Sequence, residues 1–503
     1  MTLVNALLAV LCLYAFSVGL DGPVTIFPWT AAFLVAAANL ANEFLQRRKL
    51  GLLLLSAPAH APLFWLCLSA YLATFRWHGG DDIPNSVLPW LVLEHGTLSL
   101  EPLRNWFLID QTLKDFTVQP AGTLLSIFSV VPGLIALPVS VPAVLAGAEP
   151  TPQLLHNLSK VSGSLIVAAS VPIFYDALRA RCFERWAATL ALAYGLGGWA
   201  FSVSSQALHS HAPAQLGAAI GIWGLFRARP FIGGIGFALA MSCREDSVFL
   251  CAAAGLFYLI HRRAEVLRFI AGAAIPLTAN AVYWLWAWGR LKPPYLGAQG
   301  DLFTGFQPEA LLALLIGPTR GIVWFSPIAV FGFWSFARGA RDPGRRWTPY
   351  FAAAAAALVA FISFRTSWAG GQTFGTRYYA LVFMTMLAVL ADDEEAILKN
   401  PRALTGWSAA FGASIVVHAL GAFFLYPGSF AMDQNAQAWR IALHPAIELF
   451  RADGSLGAFG AGRFLLGAAI LALAVPIARW NYLFLRDPKD RVFSAAAARA
   501  ASR

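Results

Sequence analysis

Apolar runs separated by short polar segments set the pattern of this 503-residue chain. The runs fall at 3–20, 24–45, 52–77, 157–178, 187–204, 211–226, 231–243, 246–261, 266–288, 321–337, 348–365, 376–391, 404–425 and 457–479. Many approach or exceed the ~20 residues that a helix needs to cross a bilayer. None alternates polar and apolar positions as barrel strands do, so helices are the spanning element. The expected fold is an all-α membrane protein. It is a polytopic helical bundle of about 14 transmembrane helices, with juxtamembrane helices in the first external loop. A further apolar run, 121–147, carries Pro132, Pro138 and Pro142. Prolines at that density remove backbone donors and break helices, which predicts a juxtamembrane or re-entrant piece in place of a full span. The expected organisation is a two-helix membrane hairpin over 1–50, a transmembrane core over 51–400, and C-terminal transmembrane helices with a cytoplasmic tail over 401–503.

Composition strengthens the membrane reading. Hydrophobic residues make up 58% and charged residues 12%, about half the ~25% charge of a soluble protein. The net charge of +10 does not imply nucleic acid. Arg and Lys cluster in short loops: "QRRK" (46–49), "RARCFER" (179–185), "RARP" (227–230), "HRRAEVLR" (261–268), "ARGARDPGRR" (337–346) and the tail from Arg479. All fall on one side if 121–147 is not counted as a span and 231–261 is split in two, which makes that side cytoplasmic. The opposite side receives 78–120 with its apolar extension, "SSQALHSHAPA" (204–214), 289–320, "RTSWAGGQTFGTRYY" (365–379) and an amphipathic segment at 426–456. The five cysteines sit in or beside apolar runs without CxxC spacing and read as small core residues. The N-terminus lacks a charged n-region and a small-residue cleavage site, so its first span is expected to be retained.

Chemistry-bearing residues collect on the external side. In "GGDDIPN", Asp81 and Asp82 end the 52–77 run. Asp82 could simply cap the helix that Pro84 begins. Two adjacent carboxylates near low-dielectric surroundings also tend to raise one pKa, which suits a general base. In "QALHSHAPAQL", His209 and His211 stand two apart; with no third ligand visible, orienting a polar substrate is favoured over metal binding. "MSCREDSVF" places Arg244, Glu245 and Asp246 within an apolar stretch, where charges must pair or meet a polar cavity. Arg290, Lys292, Arg320 and Arg377 are cations in external loops that the charge bias should leave poor in them. Arg290 fits a headgroup contact. Arg320 and Arg377, set in Gly-rich turns beside Trp324, Trp368 and Tyr378, fit a phosphate. Lys292 and Tyr295 of "GRLKPPYLG" complete the candidate binding set.

These segments, taken in order, resemble the polytopic glycosyltransferases of the GT-C superfamily, such as the protein O-mannosyltransferases and the lipid A aminoarabinose transferases. "GGDDIPNSVLPWLVLEHGTLSL" is similar to that family's acidic first external loop, and "SVVPGLIALPVSVPA" to the Pro-Gly start of the apolar segment after it. "FSVSSQALHSHAPAQLGAAIGIW" resembles the second external loop, and "GFALAMSCREDSVFLCAAAGLFYL" a Gly-rich helix, basic residue and second short helix. "GPTRGIVWFSP" and "GGQTFGTRYYALVFMTMLA" resemble late motifs of Ser-Pro-x-Arg-Gly and Gly-x-Arg-Tyr character. The resemblance covers about residues 52–395. Asp81-Asp82 stands where many relatives have Asp-Glu, and the 3–45 hairpin is additional to the core pattern.

The resemblance implies an inverting glycosyltransferase, hexosyl- or pentosyl-transferring, that takes its sugar from a polyprenyl-monophosphate donor. Asp81 or Asp82 would deprotonate the acceptor hydroxyl. His209, His211, Arg244, Lys292, Tyr295, Arg320, Arg377 and Tyr378 would bind substrate. The acceptor would be a glycan, lipid or protein. The expected location is the bacterial inner membrane, multi-pass, with the site facing the periplasm. No cofactor is certain and a divalent metal is left open; no metal ligand is assigned. The competing reading is a lipid or solute transporter or flippase of the cell-envelope glycan pathway. Such folds are usually built from repeats, and none is visible here.

Overall fold

The computed structural model of the chain describes residues 60–74, 82–103, 117–118, 123–291, 303–317, 320–371, 373–424 and 470–486. The N-terminal hairpin, Asp81, Lys292, Tyr295, the segment 426–456, most of the last run (457–479) and the extreme C-terminal tail lie outside the described residues. The chain is a helical bundle. Helix α1 (His60–Leu72) leads to α2 (Ile83–His95) and α3 (Val131–Leu145), which pack on each other and on the helix that follows them. Between α2 and α3 a two-residue antiparallel pair sets Thr117 opposite Ser126. Helix α4 (Pro152–Leu178) starts on a Thr151 hydroxyl that accepts from Leu154 N–H at 3.2 Å, with Pro152 at its first position. Then come α5 (Glu184–Leu196), a π-helical turn (Ala200–Ser204), α6 (His211–Phe226), α7 (Pro230–Cys243), α8 (Val248–His261) and α9 (Val266–Trp288). The last part holds α10 (Pro308–Ile316), α11 (Ala329–Gly339), α12 (Thr348–Ile362), α13 (Tyr379–Leu390), α14 (Pro401–Phe424) and α15 (Ala474–Arg486).

Among the described residues, α4, α9 and α14 belong to helices long and apolar enough to cross a membrane, while α1, α3, α7 and α12 are apolar but shorter. The split of 231–261 is present: a short 3-10 turn, Glu245–Ser247, separates α7 from α8. Prolines act in two ways on the runs, and the 121–147 run, though shorter than a span as expected, is not broken by its own. The proline-rich run forms one continuous 15-residue helix, α3, with Pro138 and Pro142 inside it. Packing against α2 and α4 offsets the lost donors. The run 321–337 is broken at Ser326 by Pro327, which pushes the preceding residue out of helical geometry; Ser326 has ψ 85°.

Helices α6, α7 and α9 approach backbone to backbone. A Cβ on Gly224 would lie 2.2 Å from Gly233 N, and one on Gly234 would lie 2.0 Å from the Phe269 carbonyl oxygen. Lipid offers no hydrophobic drive for helices to associate, so small residues and close van der Waals contact do that work.

Among the described residues the basic loops gather at one end, as the charge bias predicts. Arg181 meets Asp392 at 2.9 Å. Arg345 forks onto both oxygens of Asp393 at 2.8 Å, and Arg338 reaches the same carboxylate at 3.2 Å. Glu394 accepts from Phe183 N–H at 3.0 Å, just before α5. Arg185 donates to the Phe484 carbonyl at 3.2 Å, which ties α15 to this end.

Candidate active site

At the other end lies a cavity of about 380 Å³, formed where α7, α8, α9 and α12 meet the 365–378 loop. Part of the lining is apolar, with Phe249, Leu277, Trp284 and Phe361. The lining also carries three arginines, Arg244, Arg365 and Arg377, with Glu245, Asp246 and Tyr378. All three guanidinium groups face the Tyr378 ring, 5.7, 5.0 and 6.0 Å from its centre in that order. A ring quadrupole steadies each cation, yet like charges this close raise the local positive potential, and an anion relieves it.

Each cation is placed by its own element. Arg244 sits where α7 ends in extended backbone. It forks onto Asp246 at 3.1 and 2.6 Å and donates to Ser210 Oγ at 3.1 Å. Its Nη1 is 2.9 Å from His211 Nε2. A guanidinium can only donate, so this nitrogen accepts and the ring is neutral. Arg365 follows α12, and its backbone bridges to Phe303. Arg377 ends a loop that Gly370, Gly371 and Gly375 turn with φ of +83°, +72° and +69°, the left-handed region suited to glycine.

Arg320, expected at a phosphate, serves that loop from behind and is absent from the cavity wall. It is buried and donates to the carbonyls of Thr373 (3.0 Å), Gly375 (2.7 Å) and Gly371 (3.3 Å). Burial lowers its pKa to about 10, so it stays cationic at neutral pH.

Asp82 is buried at the start of α2, and its side chain makes no capping bond. The helix-cap reading therefore does not account for it. Ser159 Oγ lies 3.5 Å from Asp82 Oδ2, and Oδ1 is buried with no hydrogen-bond partner among the described residues. Ser159 Oγ also accepts from Leu208 N–H at 2.9 Å, and Asn85 donates to the Leu208 carbonyl at 3.3 Å. The 206–211 segment thus links the two halves. Leu208 touches the surroundings of Asp82, and Ser210 and His211 touch Arg244. Three residues of chain span at most about 11 Å. His209 is buried between them in sequence and, like His211, does not line the cavity.

Two residues were not singled out from the sequence. Arg365 opens the loop that Arg377 closes, so the reasoning that selected Arg377 applied equally to it. Lys160 is buried in α4 and donates to the Ser205 carbonyl and Gln206 Oε1, both at 3.0 Å. A single lysine one turn into an apolar run reads as an interfacial residue, which concealed it. Among the described residues no three His, Cys, Asp or Glu side chains gather as a metal site.

No protein family and no curated protein matches the sequence. Among solved structures, the chain is similar to ArnT from Cupriavidus metallidurans bound to undecaprenyl phosphate, at 14% identity and TM-score 0.46, over 87% of this chain and 76% of that one. It is also similar to the Archaeoglobus fulgidus oligosaccharyltransferase in the apo form, at 12% identity and TM-score 0.38, over 88% and 58%. The A. fulgidus oligosaccharyltransferase AglB in complex with an inhibitory peptide and a dolichol-phosphate matches at 13% identity and TM-score 0.38, over 85% and 55%. The chain spans a little over half the length of these two oligosaccharyltransferase chains.

Proposed function

We propose that the chain is an integral-membrane glycosyltransferase of GT-C type that takes a sugar from a polyprenyl-phosphate donor and passes it to a hydroxyl acceptor. The observation that carries this reading is a cavity lined both by aromatic and aliphatic side chains and by three arginines around one tyrosine. A lipid phosphate has the matching two-part chemistry. Its prenyl chain suits the apolar lining from α8, α9 and α12, and its phosphate suits Arg244, Arg365 and Arg377.

In this reading Asp82, with Asp81 as the alternative, takes the proton from the acceptor hydroxyl. The acceptor oxygen forms a bond to the anomeric carbon as the bond from that carbon to the phosphate oxygen breaks. The electron pair leaves with the phosphate, whose charge the guanidinium groups stabilise in a low-dielectric site. Attack opposite the leaving group inverts the centre. The basic loops lie at the other end of the bundle, which under the positive-inside bias supports an external site, the periplasmic side in a bacterial inner membrane.

The test uses cells lacking the protein. Prenyl-linked sugar should accumulate in their membranes, visible by lipid mass spectrometry, and wild-type protein should clear it. Asp82→Asn should fold and bind undecaprenyl phosphate but fail to clear the intermediate. Normal clearance by both Asp81→Asn and Asp82→Asn would remove the proposed base. No accumulation in the deletion strain would remove the reaction.

A further inference from the structure

A second cavity, of about 620 Å³, lies at the basic end of the bundle, lined by Asp176, Arg179, Trp223, Arg227 and Arg229. It shares no residue with the candidate active site. Asp176 organises it. Arg227 Nη2 donates to Asp176 Oδ1 at 2.9 Å and to the Asp176 carbonyl at 2.8 Å, and Trp223 Nε1 donates to Oδ2 at 2.8 Å. His60 Nε2 stands 3.6 Å from the same carboxylate. One carboxylate thus balances one guanidinium and fixes the frame. Arg179 lies 5.7 Å from the centre of the Tyr175 ring, and neither it nor Arg229 has a carboxylate partner among the described residues. Three arginines and one aspartate leave the cleft with a net charge of +2.

Exposed apolar side chains follow the cleft's Arg229 in the chain. Pro230 begins α7 directly after Arg229, and the next two side chains, Phe231 and Ile232, are 44% and 36% exposed. Cations followed at once by outward apolar side chains match a molecule with a charged head and hydrocarbon tails. A tryptophan hydrogen-bonded at its indole nitrogen is suited to the headgroup level. Loop arginines scattered over a cytoplasmic surface satisfy the charge bias without forming a cavity; here they converge on one.

We propose that this cleft binds the phosphate of an anionic membrane phospholipid, with the acyl chains lying along the first turn of α7. The site is independent of the glycosyl-transfer reading. The test is native mass spectrometry of the purified full chain titrated with phosphatidylglycerol, with phosphatidylcholine, the free glycerophosphoglycerol headgroup and inorganic phosphate as parallel probes. Wild type should retain phosphatidylglycerol over phosphatidylcholine. Arg179→Ala with Arg229→Ala should weaken that binding about thirtyfold. Arg341→Ala with Arg402→Ala removes the same charge from exposed positions outside the cleft and should leave the binding unchanged. Equal weakening in both double variants would reduce the effect to general surface charge and overturn the site. Binding of inorganic phosphate or free headgroup as tightly as the lipid would overturn the phospholipid assignment.

Discussion

The two ends of this bundle handle charge in opposite ways. At the basic end every acid of the 392–395 run has a partner: Asp392 with Arg181, Asp393 with Arg338, Arg345 and Ser335, Glu394 with Phe183 N–H, and Glu395 with Lys399. These pairs join α5, α11, α13 and the loop before α12, so they are contacts of the fold. At the other end, charges of both signs face a cavity; Asp82, which does not line it, keeps a buried oxygen with no hydrogen-bond partner among the described residues, as Glu394 Oε1 does at the basic end. A buried charge left unsatisfied is costly to the fold. In the proposed reaction the acceptor hydroxyl completes the bonding at Asp82.

Substitutions at the two ends should therefore separate activity from stability. The largest effect is expected at Asp82, where Asn should lower transfer by about 10²–10⁴-fold, the usual contribution of a general base. Its thermal unfolding in detergent should match wild type, and a large drop would reassign the residue to the fold. Asp393→Ala should do the reverse. Removing one partner of a buried ion pair costs about 3–5 kcal/mol, read as a lower unfolding midpoint, while the folded fraction still binds undecaprenyl phosphate normally. Replacing Arg365 and Arg377 together by Ala should reduce kcat/KM by about 10²–10³-fold through the lost phosphate contacts. The undecaprenyl phosphate affinity should fall with it, and retained affinity would place the phosphate elsewhere.

Smaller effects sharpen the contrast. Burial raises the Glu394 pKa from 4.5 to about 7. Between those values the folded chain binds more protons than the unfolded chain, so this group's contribution to stability declines as pH rises from 4.5 to about 7. Glu394→Gln keeps an acceptor for Phe183 N–H and should flatten that slope in melts across the window. Arg320→Lys should be milder still. A lysine retains the charge but lacks the planar fork that reaches three carbonyls. A rise in KM of about fivefold with little change in kcat is expected, from roughly 1 kcal/mol of lost loop order. Loss of kcat alone would mean that Arg320 touches the reacting phosphate.

Much of the architecture was visible in residue order. The 266–288 run is helix α9 to the residue, and the Arg-Glu-Asp interruption splits two helices as charges inside an apolar stretch must. Proline behaved in two ways. Pro327 broke a run, whereas Pro138 and Pro142 did not break α3, because neighbouring helices compensate a lost donor and sequence does not show neighbours. In the site, Arg244 and Arg377 were identifiable as cations out of place. Arg320 carried the same local signature but turned inward to carbonyls; glycine-rich turns expose backbone to a ligand and to an arginine alike. The acidic run at 392–395 has no local signature of pairing, since four acids after a span resemble a solvated face. Only tertiary structure brings Arg181 and Arg345 to them.

The glycine seam bears on how the cavity adjusts. With α7 clasped on both sides by the main chains of α6 and α9, the residue at its end is a fixed datum, and Arg244 inherits that rigidity. Arg377 hangs from three left-handed glycines and a bracket of carbonyl contacts. Any widening for a bulkier occupant must be taken up on that side, so one guanidinium acts as the anvil and the other as the moving jaw.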